Sequence, residues 1–208
     1  MDSLIGVIPD DWTERRLDSL CEVLSGGHVE AVDRAPADVP VVTPKDLSNN
    51  RIADDCAMGT SQESARRLSR YRLEPGDIVC TRRGELGRQG LVGAHQGGWL
   101  VGSACLRLRV RELVSAPYLV HYLGHPAVRH WIAGNTGGAV IPSLSRSMLG
   151  SLPVVVPPEA VQASFAETLS SLDDKIAVHE QISRTTAALR AALLPQLLNP
   201  AGAADGTP

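Results

Sequence analysis

Aromatic residues are scarce: one Phe, three Tyr and three Trp in 208 residues. Aliphatic side chains must therefore fill the core. Hydrophobic residues still make up 43% of the chain, enough to fold rather than stay disordered. No apolar run is long enough to cross a bilayer, and no charged-then-apolar leader opens the chain. The sequence thus reads as a soluble, cytoplasmic, nucleoid-associated bacterial protein with no membrane partner. The four cysteines, Cys21, Cys56, Cys80 and Cys105, are scattered without C-x-x-C spacing, which favours reduced buried thiols over a zinc site or a disulfide framework.

Catalytic signatures are missing too. The glycines of "GELGRQG" do not make G-x-G-x-x-G, and no G-x-x-x-x-G-K-[ST], H-E-x-x-H or G-x-S-x-G occurs. Pro157-Pro158 follows Val156, so it is not the Asn/Asp-Pro-Pro-aromatic stretch with which amino-methyltransferases hold a flipped base. Asp10-Asp11 and Asp54-Asp55 lack a partner Glu or Lys at the spacing of metal-assisted nucleases. His121, His125 and His130 fall within ten residues, and the first two share a helix face, but no third ligand or acid completes a metal site. The expectation is a chain that catalyses nothing by itself and binds neither metal nor cofactor.

What is present is a lopsided charge. The net charge of −3 hides an acidic N-terminal third, with 12 acids against 5 bases over residues 1–60. Residues 61–111 reverse it, with ten arginines against four acids. Arginine pairs bidentately with phosphates and guanine edges, which a lysine point charge cannot do. The stretch "LEPGDIVCTRRGELGRQG" concentrates the effect: a strand, then Arg82-Arg83, then a glycine-rich turn holding Arg88. A paired arginine in a turn that permits close approach points to an anion.

Periodicity gives an α+β chain: a mixed α/β body over residues 1–157, one long helix over 158–198, and a frayed tail over 199–208. Leu17, Leu20 and Val23-Leu24 are spaced for a helix ended by Gly26-Gly27. "VPVV", "GDIVCT", "GLVGA" and "ACLRLRV" read as strands, the last alternating Leu106 and Leu108 against Arg107 and Arg109, as if one face were buried and the other wet and basic. "APYLVHYLGHPAVRHWIAG" reads as a helix interrupted near Gly124-His125-Pro126. From Glu159 to Leu198 there is no glycine, and the spacing of Phe165, Leu169, Leu172, Ile176, Ile182, Leu189, Leu193 and Leu197 suits a coiled-coil seam. A stripe of that length favours a partner helix over the chain's own body. His179 near it reads as a register-setting polar residue or a solvent-facing one, and Pro195 is expected to loosen the last turn.

These pieces together resemble the DNA-specificity (S) subunit of type I restriction–modification systems. "IPDDWTERRLDSLCEVLSGG" is similar to that family's I-P-x-x-W opening. "YRLEPGDIVCTRRGELGRQGLV" is similar to its L-x-P-G-D-I strand and R-x-G-x-x-G turn. "GSACLRLR", "YLVHYL", "LGSLPVVVPPEAVQASFAETLSSLDDKI" and "LRAALLPQLL" follow in the family's order. One departure is Val161 before Gln162, where the family usually has an acid. Another is size: the family carries two recognition domains and two long helices, whereas one of each is found here, so the chain looks like a half-length form.

The resemblance implies a non-catalytic recognition subunit that binds double-stranded DNA. Two copies would join through the helix and read a bipartite palindrome. Modification subunits would supply S-adenosylmethionine and adenine methylation, and restriction subunits, where present, ATP- and Mg-dependent cleavage. On this reading Arg82, Arg83 and Arg88 contact phosphates, with Arg66, Arg67 and Arg70 sharing their face. Lys45, Asn135 and Thr136 are the candidates for base contacts. Phe165, Leu169, Leu172, Ile176, Ile182, Leu189 and Leu193 form the dimer seam. The competing readings are a stand-alone dimeric DNA-binding regulator or defence-system adaptor, and a metal-dependent nuclease.

Overall fold

The computed structural model describes residues 1–29, 32–33, 38–111, 113–136 and 142–198. A short hairpin of β1 (Asp2–Ser3) and β2 (Gly6–Val7) precedes β3 (Thr13–Arg16). β3 enters a single helical turn, α1 (Leu17–Leu20), which passes without a loop into β4 (Cys21–Ser25). The helix expected across this stretch is corrected here. Leu17 and Leu20 need only one turn to share a face, and the residues after them join an antiparallel ladder from Cys21↔Val110 to Ser25↔Leu106.

Next come β5 (Val32–Asp33), β6 (Val39–Val42), β7 (Leu47–Ser48), β8 (Asn50–Ile52) and β9 (Met58–Thr60). α2 (Gln62–Arg67) begins where the Ser61 hydroxyl accepts from Ser64 N–H. β10 (Ile78–Thr81) and β11 (Gln89–Leu91) form a hairpin, followed by β12 (Leu100–Val101) and β13 (Cys105–Val110). α3 (Ala116–Leu123) and α4 (Pro126–Thr136) are separate because Pro126 has no N–H with which to continue the first helix. α5 (Arg146–Gly150), β14 (Pro153–Val156) and α6 (Glu159–Leu198) complete the order.

The central sheet has the order β4-β13-β10-β11-β8-β7. Ile78, Cys80, Leu106 and Leu108 enter a core with Leu17, Leu119, Val128 and Val154, so helices and the β3–β14 pair cover that face. Val79 and Cys105 enter a second core with Val42 and Val101, which belong to the four-stranded sheet β12-β6-β9-β5. The central sheet is thus covered on both faces, which corrects the wet, basic face expected for β13. Arg107 is 5% exposed, and Arg109 is half-buried beneath acidic partners.

Of the four thiols in these cores, Cys21, Cys80 and Cys105 are held protonated by burial. Burial pushes Cys21 and Cys105 up to about 12, and Cys80 further.

The chain forms two compact units, Met1–Ser170 and the remainder from Ser171. The first turns of α6 therefore belong to the body, about three turns beyond the border expected at residue 157. Gln162 is buried there, accepting from Ser115 N–H at 2.9 Å and donating to Pro157 O at 2.9 Å. Phe165 meets Trp12 edge-on at 6.1 Å. In the second unit α6 stays helical through Pro195, and Leu172, Ile176, Ile182, Leu189, Leu193 and Leu197 are all exposed. So are Val178, Leu194 and Leu198, which the seam pattern had left out. The tail at 199–208 lies outside the described residues. Among the described residues no helix is long and apolar enough to cross a membrane.

Candidate nucleic-acid interface

The β10–β11 hairpin carries the arginine turn. Thr81 N–H donates to Arg88 O at 3.0 Å and closes a loop of residues 82–87. Gly84 and Gly87 both have φ of +87°, a conformation that side-chain-bearing residues rarely adopt. The first half of the loop is pinned to its neighbours. Arg82 and Arg83 N–H donate to Ala104 O at 2.8 and 3.3 Å, and Leu144 N–H donates to Arg82 O at 2.8 Å. The loop backbone is therefore held while its side chains are left to project.

Those side chains are not equivalent. Arg83 is exposed and makes no side-chain bond among the described residues. Arg82 is half-buried, and its Nε is out of solvent with no partner, as is the Thr81 hydroxyl beneath it. Buried donors in this condition are uncommon and costly, and Arg107 Nε shares it. Arg88 is already engaged: Nη2 donates to Glu85 Oε2 at 2.6 Å and Nη1 to Leu47 O at 3.4 Å.

That last bond brings Lys45 into the neighbourhood. Lys45 is exposed on a 3-10 turn, Pro44–Asp46, one step before β7. The turn is held by Thr43 N–H and Oγ–H, both donating to Asp46 Oδ2 at 2.7 Å. On the other side stands a residue the sequence reading missed. Arg129 of α4 places its Cγ 3.8 Å from where a Cβ on Gly87 would lie. α4 buries Val128, Ile132 and Thr136, so Arg129 is turned outward beside that stripe. Helical spacing shows it exposed, but nothing local ties it to a loop some 40 residues earlier.

The remaining candidates sit elsewhere. α2 packs through Ala65 on Val39, Val41 and Leu100 of the four-stranded sheet. Arg66 is exposed there, and Arg67 pairs with Glu63 one turn away. Arg70 is exposed too, and its carbonyl accepts from Arg107 Nη1 at 3.3 Å, on the β4–β13 side of the central sheet. Asn135 and Thr136 are turned onto their own helix: Asn135 Nδ2 donates to Trp131 O and Thr136 Oγ1 to Ile132 O, both at 2.8 Å. Thr136 is buried, Asn135 is exposed, and residues 137–141 after them lie outside the described residues.

The histidines do not converge either. His121 Nδ1 lies 3.1 Å from Asn50 Nδ2 and its Nε2 3.4 Å from Ser170 Oγ, while His125 Nδ1 accepts from Ala127 N–H at 3.2 Å. Gln89, the first residue of β11, continues the polar chain by donating to Asn50 Oδ1 at 2.9 Å. With its amide turned over, it donates instead to Gly87 O at 2.8 Å and braces the foot of the loop. Among the described residues no three His, Cys, Asp or Glu side chains gather as a metal site.

Comparison with known proteins agrees with this architecture. Residues 9–185 match the profile of the Type I restriction modification DNA specificity domain. The type I restriction enzyme MjaIX specificity subunit of Methanocaldococcus jannaschii is 26% identical over 176 residues, covering 83% of this chain and 40% of the relative. The type I restriction–modification S subunit of M. genitalium superposes with a TM-score of 0.65 at 16% identity, over 95% of this chain and 48% of that one. The HsdS subunit of Thermoanaerobacter tengcongensis superposes at 0.58 and 18% identity, over 90% and 41%. The chain spans less than half the length of these relatives.

Proposed function

Because the chain belongs to the family of type I restriction modification DNA specificity domains, we propose that its body docks on double-stranded DNA through the arginine loop of residues 82–87. The observation that carries this is the free guanidinium of Arg83, held beside the partnerless Nε of Arg82 on a loop that is pinned by backbone bonds. Charge-bearing donors on a fixed backbone suit phosphates, which set register without reading sequence. The segment's surplus of arginine over acid is the matching long-range attraction.

On this reading the chain recognises and does not catalyse. Modification subunits bring S-adenosylmethionine and methylate adenine, and restriction subunits, where they assemble, add ATP-driven cleavage. The partner for the exposed stripe of α6 is a second copy. Pairing two such helices buries both stripes, and a dyad between two readers makes the target a split palindrome. Base contacts come from groups bordering the loop, Lys45 first among the earlier candidates because it is exposed and lies two residues before Leu47, whose carbonyl holds Arg88.

Two measurements test this. Methylome sequencing of a host with and without the gene should show a bipartite motif methylated at adenine only when the gene is present; an unchanged methylome sinks the assignment. Sedimentation should give a dimer, and Leu172→Glu with Ile176→Glu a monomer. A wild-type monomer, or a dimer that survives both substitutions, removes that interface.

A further inference from the structure

Arg88 belongs to the arginine turn by sequence, yet Glu85 and Leu47 already hold it. Arg129 is distant in sequence, yet its side chain stands against Gly87 with no ion pair among the described residues. We propose that the second phosphate arm of the loop is Arg129 from α4, and that Arg88 is a clamp which fixes the loop instead. The inference rests on the reading of this loop as a DNA contact and adds to it the identity of the groups that engage the backbone.

The geometry supports that division. The loop has two ends: Arg83 follows the pinned strand end, and Gly87 precedes the return strand. Arg129 abuts the second end through its stem, so two exposed arginines border one short glycine turn. At Gly87 the Arg129 stem lies at ordinary van der Waals distance, and it is the positive φ that calls for glycine there. A single DNA strand crossing this turn would meet Arg83 at one side and Arg129 at the other.

Glu85 settles the role of Arg88. A carboxylate in a loop that faces phosphates is repelled by them unless a cation neutralises it. Arg88 does so at 2.6 Å, and its other nitrogen ties the loop to β7. Its charge is thus spent inside the protein, and releasing it to DNA would leave Glu85 uncompensated against the backbone.

The test is the salt dependence of binding to a short duplex of mixed sequence, read by fluorescence anisotropy with the full chain. Each phosphate contact contributes about −0.9 to the slope of log K against log salt for duplex DNA. Arg83→Ala and Arg129→Ala should each flatten the slope by about 0.9, and the double substitution by about 1.8. Arg129→Lys should keep the slope, since the charge remains. Replacing the pair together, Arg88→Ala with Glu85→Gln, should leave it within error, whereas Glu85→Gln alone should steepen it and tighten binding by freeing Arg88. Arg129 is exposed, so thermal melting of Arg129→Ala should match wild type and exclude misfolding.

If Arg83→Ala flattens the slope while Arg129→Ala does not, the second arm is wrongly assigned and the DNA reading survives. If Arg88→Ala with Glu85→Gln flattens it as much as Arg83→Ala, the clamp is wrong. If the wild-type chain binds duplex with no salt dependence, the DNA reading of the loop falls and takes this inference with it.

Discussion

β13 and the loop after β10 each carry two closely spaced arginines on adjoining parts of the same sheet, and the two pairs differ in every partner. Arg107 donates to Arg70 O, Arg72 O and Glu22 Oε1 at 3.1 to 3.3 Å. Arg109 meets both oxygens of Asp77 at 2.8 Å and Glu74 at 2.6 Å. Arg82 and Arg83 have no side-chain partner among the described residues. The first pair holds the body together; the second is available to a ligand. The difference lies in burial and in which acids the fold brings within reach, and a count of arginines along the chain is blind to both.

The sharpest way to break the comparison is Arg109→Ala. Asp77 is 1% exposed, and losing its bidentate partner leaves a buried carboxylate with only the Glu74 N–H donating to it among the described residues. Unfolding in urea should show a loss of about 3–5 kcal/mol, the usual cost of breaking a buried pair from one side. A loss under about 1 kcal/mol would mean that Arg109 is as dispensable as a surface residue.

Next in size is Arg82→Ala with Arg83→Ala. Binding to all duplex sequences should weaken roughly fivefold near physiological salt, with the slope flatter by about 0.9, because Arg83 is the loop's own exposed arm. Weakening confined to one sequence would mean base reading by these two side chains instead. Arg66→Ala, Arg67→Ala and Arg70→Ala together should leave the slope unchanged, because α2 packs on the other sheet and Arg70 lies on the β4–β13 side; a matching loss would put those residues back on the DNA face.

A smaller effect separates ion pairs from thiols as the alkaline limit of the body. The Arg109 guanidinium stays protonated, since its hydrogen bonds to Asp77 raise its pKa. Cys21 and Cys105 instead keep their protons up to about 12, while an unfolded chain releases them near 9. Their contribution is thus whole below pH 9 and declines as pH rises from 9 to 12. The loss is on the order of 1 kcal/mol per thiol by about pH 10. Stability against pH should fall over that window, and less steeply in Cys105→Ala. A flat profile would mean that burial does not hold these thiols protonated. Smallest of all is Arg67→Ala alone: its exposed pair with Glu63 should shift stability by about 0.5 kcal/mol or less, measured by thermal melting.

The parts of the fold legible in the sequence are those with local causes. The break at Pro126, the strand at residues 78–81 and the 40-residue α6 follow from a missing N–H, alternation and an absence of glycine. The misreadings are long-range. Residues 21–25 are a strand because a partner 85 residues away offers a ladder, and Arg107 is buried because the chain at residues 70–72 lies over it. The candidate site divides in the same way. Arg82, Arg83 and the glycine turn are contiguous and could be found by reading along the chain. Glu85's hold on Arg88 lies three residues away but depends on the curl of the loop. Arg129 depends on how α4 packs, which no neighbouring residue announces.

The loop of residues 82–87 has one more property. It is closed at its base by Thr81 and Arg88, and the strands beneath it are locked into cores on both faces. Glu85 at its tip enters neither core, whereas Leu86 packs against the first. The residue at 85 can therefore change together with its partner at 88 while the scaffold underneath stays intact. Over evolutionary time the tip is free to drift toward new targets on a body that need not be reinvented.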